Sequence, residues 1–242
     1  MSPSHDKNYV VVVMYEDQKK PKLSFCRKGD QEWHDLECKD DECYDVAFCD
    51  ETNMVFALGL GPFVEAWDLK ERAPRKTMTI LESHPRQLEE ACEIFAHDLY
   101  TTHWHLAPLK GQIFFVVRYI GKCFANDGRT LVCPYQTIDF DVFRFDAERK
   151  NWIEVESLNE FALFVGGSES MMLSVEENVE LEGNSIYFTD DSWDKIHENN
   201  LYGGHDMGIF KMEDGIVEPI MKKHKQKVKP PPFWISLPPI DR

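Results

Sequence analysis

Residues 142–155 have the sequence VFRFDAERKNWIEV, in which two apolar segments flank a short run of charged residues. Such a run favours a tight chain reversal, so the stretch predicts two antiparallel strands joined by a turn. A Trp follows the turn at position 152 and should pack on the neighbouring strand. The same order of strand, charged turn, Trp and strand recurs in LSFCRKGDQEWHDL, residues 23–36, where the aromatic residue is Trp33. The chain therefore repeats a β-hairpin.

A second repeated element indicates the same fold class. An apolar strand with a polar or Gly-containing start occurs in ETNMVFAL (51–58), LKGQIFFVV (109–117) and LEGNSIYFTD (181–190), and a partner strand follows each. Antiparallel units that recur at roughly 50 to 75 residues are typical of propeller blades. The sequence predicts an all-β chain of antiparallel sheets: a kelch-like β-propeller, incomplete at three to four blades, with a two-sheet sandwich as the alternative. The exception is one short helix predicted over Pro85–Tyr100.

Composition limits the classes of function that fit. Acidic residues outnumber basic ones 43 to 27, which gives the 242-residue chain a net charge of -16. A surface this negative repels the phosphates of nucleic acids and of anionic membranes, so we expect neither as a partner. Neither a secretory leader nor an apolar run of membrane-spanning length, about 18 residues, is recognisable. The seven cysteines are odd in number and contain no C-x-x-C pair, which predicts a reduced protein of the cytoplasm, the nucleus or both.

Asp190 and Asp191 end an apolar strand abruptly in NSIYFTDDSW, residues 184–193. Two adjacent carboxylates fit a catalytic or metal site, but they also fit a corner of the chain. Asp190 follows a strand as Asp68 and Asp146 do in other units, and an Asp in that place accepts hydrogen bonds from the next backbone N–H groups. We favour the corner, with a ligand-binding or catalytic role as the alternative.

The sequence His103-Trp104-His105 places two imidazoles on the same face of a strand, as in a metal-binding alternation. A metal site would need a third ligand, for which His97 and Asp98 are the nearest candidates. Because the ligand set is incomplete, we favour a half-exposed strand face.

The sequence Gly203-Gly204-His205-Asp206 precedes another apolar strand. An acid–base pair is one interpretation of its last two residues. We favour a loop in which Gly allows positive φ and both side chains bond to the backbone. No set of nucleophile, base and oxyanion donors assembles along the chain, so we expect no catalytic residues, no metal and no cofactor.

The C-terminal stretch changes composition. Lys222, Lys223 and Lys225 belong to a basic island, KKHKQKVK, which fits a nuclear-import signal or a solvated linker. The segment PPPFWISLPP follows, and its prolines favour extended chain. We expect its central residues to anchor it to the body of the protein; they are Phe233, Trp234 and Ile235.

Three stretches in a fixed order, GNSIYFTDD (183–191), GGHDMGIF (203–210) and PPFWI (231–235), resemble plant F-box proteins with a KIB-type β-propeller, also called domain of unknown function 295. Within them, the Skp-interacting-partner 23-like group is the most similar. The resemblance implies three segments: a disordered N-terminus (1–7), a partial propeller domain (8–236) and a C-terminal tail (237–242).

In that family an F-box grips the Skp adaptor, and the propeller selects a protein target for a cullin-type ubiquitin ligase. The resemblance therefore implies a protein-interaction module with no catalytic role. No F-box is recognisable in this sequence, so the Skp contact is not carried over. The alternatives are a small-molecule-binding or hydrolytic propeller enzyme and a non-functional gene fragment.

Loops between strands are the expected contact surface for a protein target, because binding residues concentrate on loops. One region combines aromatic and charged side chains, as binding hot spots do. The predicted partner-binding residues are Asp190, Asp191, Trp193, Tyr202, His205 and Asp206.

Overall fold

The computed structural model describes residues 9–17, 20–39, 43–59, 63–80, 100–124, 131–178, 180–191, 204–220 and 232–235. These residues form sixteen strands and no helix, which confirms the predicted all-β class. None of them forms a helix long and apolar enough to cross a membrane. Of the helix predicted over Pro85–Tyr100, residues 85–99 lie outside this description, and Tyr100 begins a strand. The chain divides into two compact units, Met1–His84 and Pro85–Arg242.

The first unit contains two antiparallel sheets. One has three strands in the order β1-β2-β3 and the other has four in the order β4-β5-β6-β7. Their inward side chains form one core that includes Leu23, Phe25, Val55 and Trp67. The bounds are β1 Val10–Asp17, β2 Lys20–Arg27, β3 His34–Leu36, β4 Cys43–Cys49, β5 Met54–Gly59, β6 Val64–Asp68 and β7 Arg75–Ile80.

The second unit contains a four-stranded antiparallel sheet, in the order β11-β10-β9-β8, and a five-stranded sheet, in the order β13-β12-β14-β15-β16. A core that includes Val116, Phe140, Phe188 and Phe210 joins the two sheets. The bounds are β8 Tyr100–Leu109, β9 Gln112–Phe124, β10 Leu131–Asp146, β11 Asn151–Glu154, β12 Phe161–Val165, β13 Met171–Ser174, β14 Ser185–Phe188, β15 Gly208–Lys211 and β16 Ile216–Pro219.

Four sheets of three to five strands correspond to the three to four blades that the sequence predicts. One pairing departs from the expected antiparallel pattern, because β12 and β14 are parallel. The short strand β13 explains this pairing. It forms an antiparallel pair with β12, and the chain then returns to the opposite edge of β12 as β14.

The prediction for the Trp of the repeated hairpin is right in one copy and wrong in the other. Trp152 lies in β11 and packs against Phe145 and Phe115, with ring centroids 5.3 and 5.6 Å apart. Trp33 is 52% exposed. It precedes β3, a strand of three residues. The ring of the next residue, His34, packs against Phe25 of the neighbouring strand instead.

The C-terminal anchor is also partly as predicted. Trp234 donates its indole N–H to the carbonyl oxygen of Val165 (2.8 Å) and meets the ring of Phe164 edge-on at 4.9 Å. Phe233 and Ile235, in contrast, are 56% and 66% exposed. The prediction that all three residues anchor the segment is therefore wrong for these two. In an extended chain, alternate side chains point in opposite directions, so only the middle one faces the sheet.

Candidate functional site

Strand pairing brings four of the predicted residues together. Asp190 and Asp191 follow the end of β14, and His205 with Asp206 precedes the start of β15. Because Phe188 of β14 pairs with Gly208 of β15, these two chain ends are neighbours. Trp193 and Tyr202, and also Lys222, Lys223 and Lys225, lie outside the described residues.

The side chain that organises this region is Arg118, which sequence reasoning did not identify. It lies on β9, one of the two inner strands of its four-stranded sheet, and its side chain is fully buried. Side chains two residues apart share a face of a strand, so Arg118 continues the row of core residues Phe114 and Val116. The only signal for it in the sequence is a single charge at the end of the apolar run QIFFVVRY, residues 112–119.

The guanidinium of Arg118 donates in several directions. Its Nε bonds to the hydroxyl of Thr137 (2.8 Å), and Nη1 bonds to the carbonyl oxygen of Thr189 (2.8 Å). Its Nη2 lies 2.9 Å from Asp206 Oδ2, and Nη1 lies 3.2 Å from Asp191 Oδ1. Burial opposes the charge, but the carboxylates of Asp191, Asp206 and Asp190 outweigh it and raise the pKa of Arg118 above its ordinary value.

Asp191 faces three nitrogen-bearing side chains. Besides Arg118, His103 Nδ1 lies 2.9 Å from Oδ1, and His105 Nε2 lies 3.3 Å from Oδ2. Burial by itself would raise the pKa of Asp191, but Arg118 and the two histidines hold it well below the ordinary value. A carboxylate with so low a pKa is a poor proton acceptor, so this geometry does not favour Asp191 as a general base.

The two histidines of β8 share a face, as their spacing predicts; the expected half-exposed face is wrong for His105, whereas the side chain of His103 is 24% exposed. His105 is 6% exposed, and both imidazoles point to the buried Asp191. Among the described residues, no group of three or more His, Cys, Asp or Glu side chains is arranged to hold a metal ion. The candidate ligands His97 and Asp98 lie outside those residues.

Asp190 has long-range partners that the sequence does not predict, and residues 192 and 193, whose N–H groups a local cap would bind, lie outside the described residues. Asp190 is 1% exposed and accepts a hydrogen bond from the hydroxyl of Tyr135 (2.7 Å). It also accepts from the backbone N–H groups of His205 (3.0 Å) and Asp206 (3.2 Å), which come fifteen and sixteen residues later in the chain and are not the next ones. The carboxylate therefore joins two segments.

Asp206 and His205 both bond to the backbone of β10, as expected for this loop. The N–H of Thr137 donates to both carboxylate oxygens of Asp206, at 3.0 and 2.9 Å. The Nε2 of His205 lies 3.0 Å from the carbonyl oxygen of Tyr135, and the two rings are 4.5 Å apart. Gly204 has the predicted positive φ, 72°.

We refer to Arg118, the three aspartates and the three histidines as the Arg118 cluster; its members are His103, His105, Arg118, Asp190, Asp191, His205 and Asp206. Buried charges are costly unless they are paired and hydrogen-bonded, and here each carboxylate meets donors from other segments. The cluster therefore fixes Asp191 at one end of segment 192–203 and His205 and Asp206 at the other.

Comparisons with known proteins agree with the resemblance in the sequence. The model of the KIB1-4 beta-propeller family matches residues 1–211. The chain is similar to the putative F-box protein At5g55150 of Arabidopsis thaliana, with 24% identity over 233 residues, 96% of this chain and 57% of that protein. It is also similar to the F-box protein SKIP23 of the same plant, with 26% identity over 112 residues, 42% of this chain and 25% of that protein. The chain thus spans little more than half the length of the first of these relatives.

Proposed function

Because the chain belongs to the KIB1-4 β-propeller family, we propose that it is a protein-recognition module, a propeller domain that binds a protein target. The observation that carries this proposal is the likeness to an F-box protein along 96% of the chain. Substrate recognition for a Skp–cullin–F-box ubiquitin ligase is the role we propose for the whole protein. It stays separate from the binding role, since the chain spans 57% of that relative. The proposal is one of binding and not of turnover.

The geometry of the Arg118 cluster supports two different roles for the predicted binding residues. Asp190, Asp191 and Asp206 are buried and engaged with internal donors, so their role is to position the chain. Segment 192–203 joins the two anchored ends and contains Trp193 and Tyr202. Large aromatic side chains dominate the binding energy of many protein interfaces. We therefore assign direct contact with the target to these two aromatic residues.

Affinity capture from plant cell extract, read by mass spectrometry, tests the proposal. The baits are the wild-type chain, a Trp193→Ala/Tyr202→Ala double variant and a Trp33→Ala variant. Trp33 is the matched control, because it is an exposed tryptophan in the other unit. We expect a reproducible target with the wild-type and Trp33→Ala baits that is lost with the double variant.

Three outcomes separate the parts of the proposal. Failure to capture any reproducible protein would contradict a recognition module. Equal capture by all three baits would move the contact surface away from Trp193 and Tyr202. Skp and cullin subunits among the captured proteins would support the ligase role, and a target without them would support binding alone.

We also propose that the protein acts in the cytoplasm, the nucleus or both, with the basic island as the determinant. A fluorescent fusion in plant cells tests this proposal when it is compared with a Lys222→Ala/Lys223→Ala/Lys225→Ala variant. Loss of nuclear signal in the triple variant is expected for an import signal. An unchanged distribution would identify the island as a linker.

A further inference from the structure

A cleft in the first unit lies between the ends of two strand pairs. One side comes from the ends of β1 and β2, where the N–H of Lys28 donates to the carbonyl oxygen of Tyr9 (3.1 Å). The other side comes from the ends of β5 and β6, where the N–H of Leu69 donates to the carbonyl oxygen of Asn53 (2.9 Å). Its volume is about 360 Å³. That is at the small end of ligand-binding pockets, roughly 300–1,000 Å³.

Arg27, the last residue of β2, fixes the two sides of the cleft to each other. Its Nη2 donates to the carbonyl oxygens of Leu69 and Glu71, both at 2.7 Å, and its Nη1 donates to that of Arg72 at 3.0 Å. The guanidinium also lies 4.7 Å from the centre of the Phe25 ring. Carbonyl oxygens and a ring hold the guanidinium in place, but they carry no net charge, so these contacts leave its positive charge without a counterion.

Two lysines add to the charge of the cleft. Lys28 and Lys70 line it together with Arg27, and both lysines are exposed. No Asp or Glu is among its lining residues in the part of the chain that the structure describes, and no carboxylate there pairs with the side chain of Arg27 or Lys70. Three cations around one cleft are a local reversal of charge, because acidic residues outnumber basic ones 43 to 27 in the whole chain. Such a cleft attracts anions.

The acidic residues close in sequence to these cations have other partners. Asp30 accepts the backbone N–H of the arginine (2.9 Å) and lies 3.4 Å from His34 Nε2. Asp68 accepts the backbone N–H of the second lysine (2.9 Å) and lies 3.6 Å from Arg75 Nη2. Glu71 is exposed and does not line the cleft. The positive charge of the cleft is therefore not cancelled by an acidic lining.

The rest of the lining favours a ligand that carries an organic group beside its charge. Tyr9, Val10 and Leu69 are the apolar lining residues, and Tyr9 is 58% exposed. An exposed aromatic ring at the mouth of a cleft offers a surface on which a second ring can stack. Asn53 completes the lining, and its side-chain amide makes no hydrogen bond within the described residues. It can therefore donate to a ligand oxygen.

We propose that this cleft binds a phosphate monoester with a small aromatic substituent. A phosphate monoester carries about -1.5 to -2 charges at neutral pH, which matches three cations better than the single charge of a carboxylate does. Arginine and lysine are also the side chains that recognise phosphate groups. The cleft contains no residue assigned to target recognition, so the proposal goes beyond that role and does not depend on it.

Isothermal titration calorimetry of the full chain with phenyl phosphate tests the proposal. The comparison ligands are inorganic phosphate, which lacks the ring, and benzoate, which has the ring but only one negative charge. We expect saturable one-to-one binding of phenyl phosphate, and dissociation constants at least about threefold higher for both comparison ligands.

Two lysine variants locate the site. Lys70→Glu reverses one charge of the cleft at an exposed side chain, and Lys150→Glu is the matched control because it makes the same change at an exposed lysine of the other unit. We expect about tenfold weaker binding of phenyl phosphate by Lys70→Glu and no change by Lys150→Glu, with the Tm of both variants close to that of the wild type. Tyr9→Ala should weaken binding of phenyl phosphate and leave that of inorganic phosphate unchanged.

Several results would overturn the proposal. Absence of saturable binding, or equal affinities of Lys70→Glu and Lys150→Glu, would exclude the cleft as the site. Benzoate binding as tight as that of phenyl phosphate would exclude phosphate as the recognised group, and equally tight binding of inorganic phosphate would exclude the monoester.

An N-acetylated, amidated phosphotyrosine distinguishes the two sources of such a group. Tighter binding of this compound than of phenyl phosphate would identify a phosphorylated tyrosine of a protein as the ligand. Weaker binding would identify a free aromatic phosphate, because the peptide groups then hinder entry to the cleft.

Discussion

Arg118 is the residue on which the interior of the second unit depends. Its planar fork donates at once to Thr137, Thr189 and Asp206 and pairs with Asp191. A lysine cannot reproduce this geometry, because its ammonium is a single point of charge on a flexible chain. Arginine is therefore required at this position by the number and the directions of its donors as well as by its charge.

Substitution of Arg118 by Met should lower the free energy of unfolding by about 3–5 kcal/mol, because it leaves buried carboxylates without their cation. Chemical denaturation measures the change, with Arg118→Lys expected to restore only part of it. The control is Arg149→Met, since Arg149 is 75% exposed and lies 3.9 Å from Asp146. An exposed pair of this kind contributes little to stability, because solvent screens it. Equal losses in the two variants would contradict the structural role of Arg118.

The low pKa of Asp191 makes the free energy of unfolding depend on pH in the acidic range. The folded-state pKa lies well below the ordinary value of 3.8, so the unfolded state binds more protons as the pH falls. The stabilisation is complete above the unfolded pKa and is lost as the pH drops through the folded one. Below about pH 5, the unfolding free energy should therefore fall less steeply with decreasing pH in Asp191→Asn than in the wild type. Identical slopes would show that Asp191 is not the responsible group.

Aspartates after strands show what local sequence can and cannot predict. Asp146 accepts from the N–H groups of Glu148 and Arg149, and Asp68 accepts from that of Lys70, so both are the predicted turn caps. Asp190 looks the same in sequence, but its carboxylate also accepts from the N–H groups of residues fifteen and sixteen positions later in the chain. Its partners are brought to it by the pairing of β14 with β15, which no local pattern encodes.

At the scale of elements, the hairpins were predictable because turn chemistry and apolar alternation act over a few residues. The predicted hairpin at residues 23–36 is confirmed as the pair β2 and β3, and the one at residues 142–155 as the pair β10 and β11. The parallel pairing of β12 and β14 was not predictable from the sequence. It depends on the short strand β13, whose sequence MMLS gives little indication of a strand.

The C-terminal segment gives a test at this scale. Substitution of Trp234 by Ala removes the bond to Val165 and the contact with Phe164, so the unfolding free energy should fall by about 1–3 kcal/mol. Phe233→Ala is the matched control, because that neighbouring ring is 56% exposed, and it should change stability by less than about 0.5 kcal/mol. Chemical denaturation of the two variants measures the two changes in unfolding free energy. A larger loss for Phe233 would contradict the docked orientation.

At the scale of the whole molecule, the sequence suffices for the family and the fold class, because several signature stretches occur in a fixed order. It does not suffice for the Arg118 cluster, whose members come from β8, β9 and the two chain segments beside the pair β14–β15. The predicted binding residues thus have two roles. The buried ones support the chain, and Trp193 and Tyr202 remain as the proposed contacts.

Binding of a captured target to the purified chain is the most direct test of recognition through segment 192–203. Its dissociation constant is compared among the wild type, Trp193→Ala/Tyr202→Ala and Trp33→Ala, with Tm measured for each protein. We expect at least about tenfold weaker binding for the double variant at an unchanged Tm, and no change for Trp33→Ala. Unchanged affinity in the double variant would contradict the assignment of segment 192–203 as the recognition surface.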